Sequence, residues 1–193
     1  MKISLENKTM AFPFLTPVFV VGTYDEEGKP NAMTAAWGGI CCSEPPCVTI
    51  SLRKATYTYN SLMLKKAYTV NIACKEFAKE SDYFGIASAR DADKFAVTGL
   101  TPVRSELVDA PYIEEFPVNL ECRIVHIADL GLHTMFVGEV LGVKVSDTLK
   151  DNKEQPIIEQ IEPLLFAPGG RGYYVPGDSA GRAFGVGREL MKE

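Results

Sequence analysis

A period of two dominates the alternation of apolar and polar positions along this chain. Val48, Ile50 and Leu52 alternate with Thr49, Ser51 and Arg53 after the breaker Glu44-Pro45-Pro46, which predicts a strand with one apolar and one hydroxyl-rich face. The same period recurs in Tyr68, Val70 and Ile72 against Thr69 and Asn71, and in Val118, Leu120, Cys122 and Ile124 against Asn119, Glu121 and Arg123. His133 to Val145 is a further long strand candidate. Val18 to Tyr24 is β-branched and aromatic and runs into the turn formers Asp25-Glu26-Glu27-Gly28-Lys29-Pro30. The chain reverses there into a hairpin whose second arm begins at Asn31.

Helical signals are fewer and shorter. Asn60 to Lys66 carries Leu62, Met63 and Leu64 and ends on Lys65 and Lys66, where cations suit the helix dipole. Glu76 to Ile86 is a second candidate, and Ile157 to Ile161, bracketed by Pro156 and Pro163, a third. Many short strands punctuated by Gly and Pro, with a few helices interposed, predict a mainly β protein: a closed antiparallel barrel with short helical insertions.

Composition narrows the class of molecule. The 193 residues are 46% hydrophobic and 23% charged, with a net charge of −5; a disordered chain would be poorer in apolar residues and richer in like charge. No repeat, low-complexity segment or linker divides the sequence, so a single domain over 1–193 is expected, with the barrel over about 12–150 and a C-terminal arm over about 151–193. No run approaches the roughly 20 apolar residues that cross a bilayer, and Met1-Lys2-Ile3-Ser4-Leu5-Glu6 lacks the apolar region of a signal peptide. The expectation is a cytoplasmic protein without a membrane partner. Without a clustered Lys/Arg run, nucleic acid is not expected as a partner either.

Most of the familiar chemical motifs are missing. Five cysteines are an odd number and are expected to be free thiols; Cys47, Cys74 and Cys122 fall in strand-like runs where cysteine acts as a small hydrophobe. The vicinal Cys41-Cys42 pair has two readings, small residues packed below a loop or a redox or ligand contact. The two histidines, His126 and His133, have no partners at metal-ligand spacing, so no metal site is expected. The nucleophile-elbow pattern is absent. Gly185-Val186-Gly187 lacks the third glycine and the strand–helix context of a dinucleotide motif and reads as a bend in the tail.

Two segments carry more. Asn31-Ala32-Met33-Thr34-Ala35-Ala36-Trp37-Gly38-Gly39 is strand-like and built of small residues, which would let a flat ligand approach the backbone, with the lone tryptophan over one face. On the alternative reading the alanines pack a neighbouring strand and Trp37 fills the core. Ser51-Leu52-Arg53-Lys54-Ala55-Thr56-Tyr57-Thr58 offers two cations and several hydroxyls at a strand end before a helix. That makes either a phosphate cradle or a solvated basic turn. Lys94, flanked by Asp91 and Asp93, is similarly open between a ligand contact and a surface lysine.

The order Pro17-Val18, Asp25, Gly28, Asn31-Ala32-Met33-Thr34, Trp37, Pro45-Pro46, Ser51-Leu52-Arg53, Tyr57-Thr58, Val70-Asn71, Ser88, Asp93-Lys94-Phe95, Gly99-Leu100 resembles the flavin reductase-like family, the FMN-binding split barrels, and in particular its flavoredoxin branch. The likeness runs from about Leu15 to Phe166. It implies a Greek-key split β-barrel that forms a homodimer and holds FMN noncovalently. It also implies that Asn31, Ala32, Met33, Thr34, Ala35 and Trp37 lie beside the isoalloxazine, and that Ser51, Leu52, Arg53 and Thr58 hold the ribityl and phosphate. Ser88 and Lys94 match a second loop contact, and His133 and Phe166 match the histidine and aromatic that approach the flavin in this branch. Two activities follow from the resemblance: an oxidoreductase using NAD(P)H as a transient donor, or an electron carrier served by a redox protein partner. A barrel that binds haem or another apolar ligand, with His126 or His133 as axial ligand, is a third reading.

Overall fold

The computed structural model describes residues 14–191, apart from the side chain of Glu189. Among these the strands are β1 (Thr16–Pro17), β2 (Phe19–Tyr24), β3 (Pro30–Ala35), β4 (Gly38–Ser43), β5 (Pro46–Arg53), β6 (Ala67–Ile72), β7 (Pro102–Arg104), β8 (Pro111–Ile113), β9 (Val118–Asp129), β10 (His133–Val145), β11 (Leu165–Ala167) and β12 (Gly172–Tyr174). The α-helices are α1 (Tyr57–Lys65), α2 (Ala78–Ile86), α3 (Lys94–Thr98) and α4 (Ile158–Ile161). None of the helices is long and apolar enough to cross a membrane.

Seven strands form one antiparallel sheet in the order β3-β2-β6-β9-β10-β5-β4. Its two edge strands, β3 and β4, are consecutive in the chain and separated only by Ala36 and Trp37. Two residues span well under 10 Å, so the sheet must curl until its edges meet. At the seam the Ser51 amide donates to the Trp37 carbonyl at 2.7 Å, while β3 and β4 remain unpaired with each other. The result is the split barrel that the resemblance implies.

Alternation along β2 shows how the sequence fills the two layers. Phe19 and Val21 point into the barrel with Ala35, Val48, Ile50, Leu52, Leu62, Tyr68, Val70, Cys122 and Phe136. Val18 and Val20 face a second cluster outside the sheet, with Ala32, Phe84, Phe95, Phe116 and Leu164. Because side chains fill the barrel interior, it leaves no chamber for haem, and His126 stands exposed on β9. Tyr68 crosses the interior to donate to the Val48 carbonyl at 3.2 Å. Its ring occupies the space where Gly138 has no side chain; a β-carbon there would overlap the Tyr68 hydroxyl.

Outside the sheet, Asn71 pins the β7–β8 segment. Its amide nitrogen donates to Val20 O at 2.8 Å, and its oxygen accepts from Ile113 N and Asn119 Nδ2, both at 2.9 Å. The polar positions of β6, Thr69 and Asn71, thus bind a covering segment.

The expected elements at 18–24, 48–53, 68–72, 118–124 and 133–145 are all strands, with β9 continuing to Asp129. The helix expected from Asn60 starts at Tyr57, and Lys66 closes it in the left-handed region at φ 54°. The one expected from Glu76 begins as a 3-10 turn at Lys75–Phe77. The tail glycines fall at a 3-10 helix, Val186–Met191, where a simple bend was expected. Within the arm, β11 and β12 join β1 in a separate three-stranded sheet of order β1-β11-β12.

Gly138→Ala should lower stability by about 1–3 kcal/mol, the usual cost of forcing atoms into a packed core. Urea unfolding reads this as a lower midpoint at unchanged slope; an unchanged midpoint would show that Tyr68 does not occupy the Gly138 notch.

Candidate functional site

The one face of β3 that lies outside the barrel is covered by α2. Thr34 donates its hydroxyl to the Ser81 carbonyl on α2, and Gly85 lets that helix approach, since a β-carbon there would sit 3.3 Å from Thr34 Cβ. Two cavities open along this β3–α2 contact. Met33 and Gly85 line one; Trp37 and Asp82 line the other. Met33 and Trp37 are four positions apart in the chain, roughly 13 Å when extended.

The first cavity, about 220 Å³, is walled by Thr56, Tyr57 and Thr58 from the start of α1, by Ser88, Ala89 and Arg90, and by Lys94. Two features make it a place for an anion. Helix α1 starts without a side-chain cap and without an acidic residue in its first turn, because the Thr56 hydroxyl donates to Arg53 O at 2.9 Å instead. Its first-turn N–H groups and positive dipole end therefore have no side-chain acceptor.

The second feature is Lys94, only 4% exposed. Its ammonium donates to the Phe84 and Ala87 carbonyls at 3.2 and 3.3 Å and lies 5.8 Å from the Phe84 ring centroid, yet among the described residues it forms no ion pair. The adjacent Asp93 is engaged elsewhere: it caps α3 through Ala96 N at 3.2 Å and pairs with Lys29 at 3.1 Å, contacts that hold its carboxyl below the ordinary range. Burial lowers the Lys94 pKa to about 8. At neutral pH it is still a cation, buried without a counterion, which is costly unless a ligand supplies one.

Behind Lys94, Asn31 is 4% exposed, gives its amide N–H to Thr58 Oγ1 at 3.0 Å and leaves its Oδ1 without a partner. Tyr57 donates to Asp25 at 2.8 Å, a bond that raises its own pKa. Arg90 lies over the Tyr57 ring, 5.8 Å from its centroid, and donates to Ala55 O at 3.2 Å, tying the two loops together.

The second cavity, about 1040 Å³, is lined by Trp37, His133, Leu132, Phe166, Tyr173 and the turn between β11 and β12. Trp37 and Phe166 meet edge to face at 6.5 Å between centroids, and Phe166 and Tyr173 at 5.8 Å. Tyr173 donates to Asp82 Oδ1 at 3.0 Å, fastening β12 to α2; burial, then this carboxylate, pushes its pKa up to about 12. Aromatic walls of this size suit a flat ring system.

Comparison with known proteins shows the family. Residues 10–174 match the flavin reductase like domain family. The chain belongs to the flavin reductase-like family, in its flavoredoxin branch. Flavoredoxin of Desulfovibrio vulgaris (Miyazaki F) is similar at 46% identity, with 97% of this chain and 100% of that one covered and a TM-score of 0.90. Flavoredoxin from Methanosarcina acetivorans is similar at 29% identity, with coverages of 99% and 100% and a TM-score of 0.91. The reductase component of a 4-nitrophenol 4-monooxygenase/4-nitrocatechol 2-monooxygenase from Rhodococcus opacus is 25% identical over 171 residues, 89% of this chain and 81% of that protein. Membership makes this a flavin-related electron-transfer protein.

The residues singled out from the sequence of this flavin reductase-like chain do not all reach the groove. Met33, Thr58, Ser88 and Lys94 line the first cavity, Asn31 adjoins it behind Lys94, and Trp37, His133 and Phe166 line the second. Ala32, Ala35 and Leu52 put their side chains into the two cores, so only their backbone could meet a ligand. Thr34 spends its hydroxyl on Ser81, and half-buried Ser51 spends its amide on Trp37. Arg53 is exposed at the end of β5, opposite His133 in register, and lines neither cavity. Lys54 is drawn to Asp129 at the β9–β10 turn. The cations of the expected cradle, Arg53 and Lys54, therefore lie apart from Lys94, because strand pairing carries both toward β10. Sequence reasoning missed Arg90, Asp82 and Tyr173, which lack any local pattern; their roles arise only from packing.

The low pKa of Lys94 has a definite consequence for stability. Its charged form is disfavoured in the folded, ligand-free protein, so the penalty is full below about pH 8 and vanishes above the unfolded value near 10.5. The stability of the ligand-free wild type relative to Lys94→Met should thus rise with pH across that window by about 3 kcal/mol. Chemical denaturation at several pH values checks this, and a flat difference would place the ammonium in water.

Proposed function

We propose that the chain binds FMN noncovalently along the β3–α2 groove, with the phosphate at Lys94 and the α1 N-terminus and the isoalloxazine toward Trp37 and Phe166, and works as an NAD(P)H-dependent oxidoreductase. The buried, unpaired Lys94 ammonium carries this reading. It supports a phosphate monoester at one end of a groove whose other end is aromatic. When bound, the flavin supplies reversible acceptance of a hydride or of single electrons.

The protein's own part is binding, orientation and exclusion of water. Lys94 and the first-turn amides of α1 neutralise phosphate charge, and Arg90 holds their two loops in register. Trp37, Phe166 and Tyr173 shield a ring from solvent, and the Tyr173–Asp82 bond keeps β12 in place over it. His133 and Leu132, at the β9–β10 turn, border the space from which a nicotinamide would enter. No side chain is required as a general base for hydride transfer. The likeness to a monooxygenase reductase component supports the enzyme, while 46% identity to a flavoredoxin favours a second reading, a carrier that exchanges electrons with a redox protein.

Flavin-stripped protein titrated with FMN should bind it with a yellow spectrum, and Lys94→Met should bind about 10- to 100-fold more weakly, the weight of one charge-assisted contact. Equal affinity in the variant would contradict the phosphate assignment. Anaerobic mixing of the holoprotein with NADH and with NADPH separates the two activities: rapid bleaching is expected for the enzyme, and inertness with both would leave the carrier.

A further inference from the structure

The β4–β5 hairpin gathers three cysteines at one point of the sheet. Pairing runs Ile40 opposite Val48 and then Cys42 opposite Cys47, so the register slips by one residue at Cys41. That is a β-bulge, in which two residues of one strand face a single residue of the other. Cys41 and Cys42 both stand exposed on edge strand β4, while Cys47 is 5% exposed on β5. The thiols also feel one another's charge. Cys47 is raised by burial and then by negative charge on Cys41 and Cys42, and Cys41 is raised by burial and then by Cys42. Directly opposed residues of an antiparallel pair have Cα atoms about 4.5 or 5.5 Å apart, and both spacings lie within the range that a disulfide spans.

We propose that Cys42 and Cys47 form a reversible thiol–disulfide site, oxidised by low-molecular-weight disulfides, independent of the flavin groove. The Cys42 S–H lies at the surface, donating to Glu44 O at 3.3 Å, and is open to the oxidant. Its thiolate attacks the disulfide RSSR and gives the mixed disulfide Cys42–S–SR, releasing one RS⁻. The Cys47 thiol, directly across the ladder, loses its proton and attacks the Cys42 sulfur; the Cys42–Cys47 bond forms and a second RSH leaves. Two protein thiols are oxidised and one RSSR is reduced to two thiols. Cys41 takes no part in the bond, because the ladder register pairs Cys42 with Cys47.

The test uses the full-length protein as purified, reduced and then exposed to oxidised glutathione, with free thiols alkylated under denaturing conditions before peptide mass spectrometry. The peptide carrying all three cysteines should lose about 2 Da, with fragmentation placing the bond at Cys42–Cys47 and the alkyl group on Cys41. In Cys42→Ser, a substitution at an exposed site, no bond should form within this peptide and Cys47 should be alkylated. The proposal is overturned if the wild type keeps a stable glutathione adduct on Cys42 with Cys47 alkylated, if the bond joins Cys41 to Cys42, or if no cysteine reacts. Cys47→Ser should leave Cys42 glutathionylated; formation of the same 2 Da loss in that variant also refutes it.

Discussion

Two residues, Ala36 and Trp37, join the opposite edges of a seven-stranded sheet, and the rest of the molecule follows from that constraint. A link so short forces the sheet into a barrel and keeps Trp37 at the seam. It leaves the outer face of β3 for α2 to cover, and along that contact the two cavities open. It also leaves β4 as an exposed edge. Hydrophobic filling of the barrel by Tyr68, Phe136 and their neighbours then makes the curl stable.

Charge is arranged against the overall balance of the chain. The net charge is −5, and several surface cations are paired with carboxylates: Lys29 with Asp93, Lys54 with Asp129, Lys75 with Glu162, Arg123 with Glu139. Exposed pairs of this kind add little stability. Lys94 differs because it is buried and unpaired, a state that the fold tolerates through two carbonyl acceptors and the Phe84 ring. Such a site is costly when empty and favourable when an anion arrives, as a binding site requires.

Much of the scaffold was legible in the sequence because period-two alternation survives wherever one face of a strand is buried. β5, β6 and β10 follow it directly. β4 was not legible: Gly38-Gly39-Ile40-Cys41-Cys42 lies at an exposed edge, where neither face is buried and no alternation is needed. Helix α1 starts earlier than its apolar residues suggest, because Tyr57 and Thr58 face the groove and the Asn31 side chain. In the site, Trp37 and Lys94 were identifiable as residue types in a family pattern, and geometry decided between their alternatives. Lys94, flanked by two acids, read equally well as a surface lysine; only the α2–α3 packing buries it. Arg53 and Lys54 looked like a cradle because they adjoin a helix start, but strand register turns them toward His133 and Asp129.

The central claim is that a flavin phosphate completes the charge of Lys94. Titration calorimetry of FMN into flavin-stripped protein at about pH 9, in buffers of different ionisation heat, tests it directly. At that pH the free ammonium is largely deprotonated, so binding should draw in roughly one proton per flavin, and Lys94→Met should draw in none. Binding without proton uptake, or equal uptake in the variant, would contradict the account.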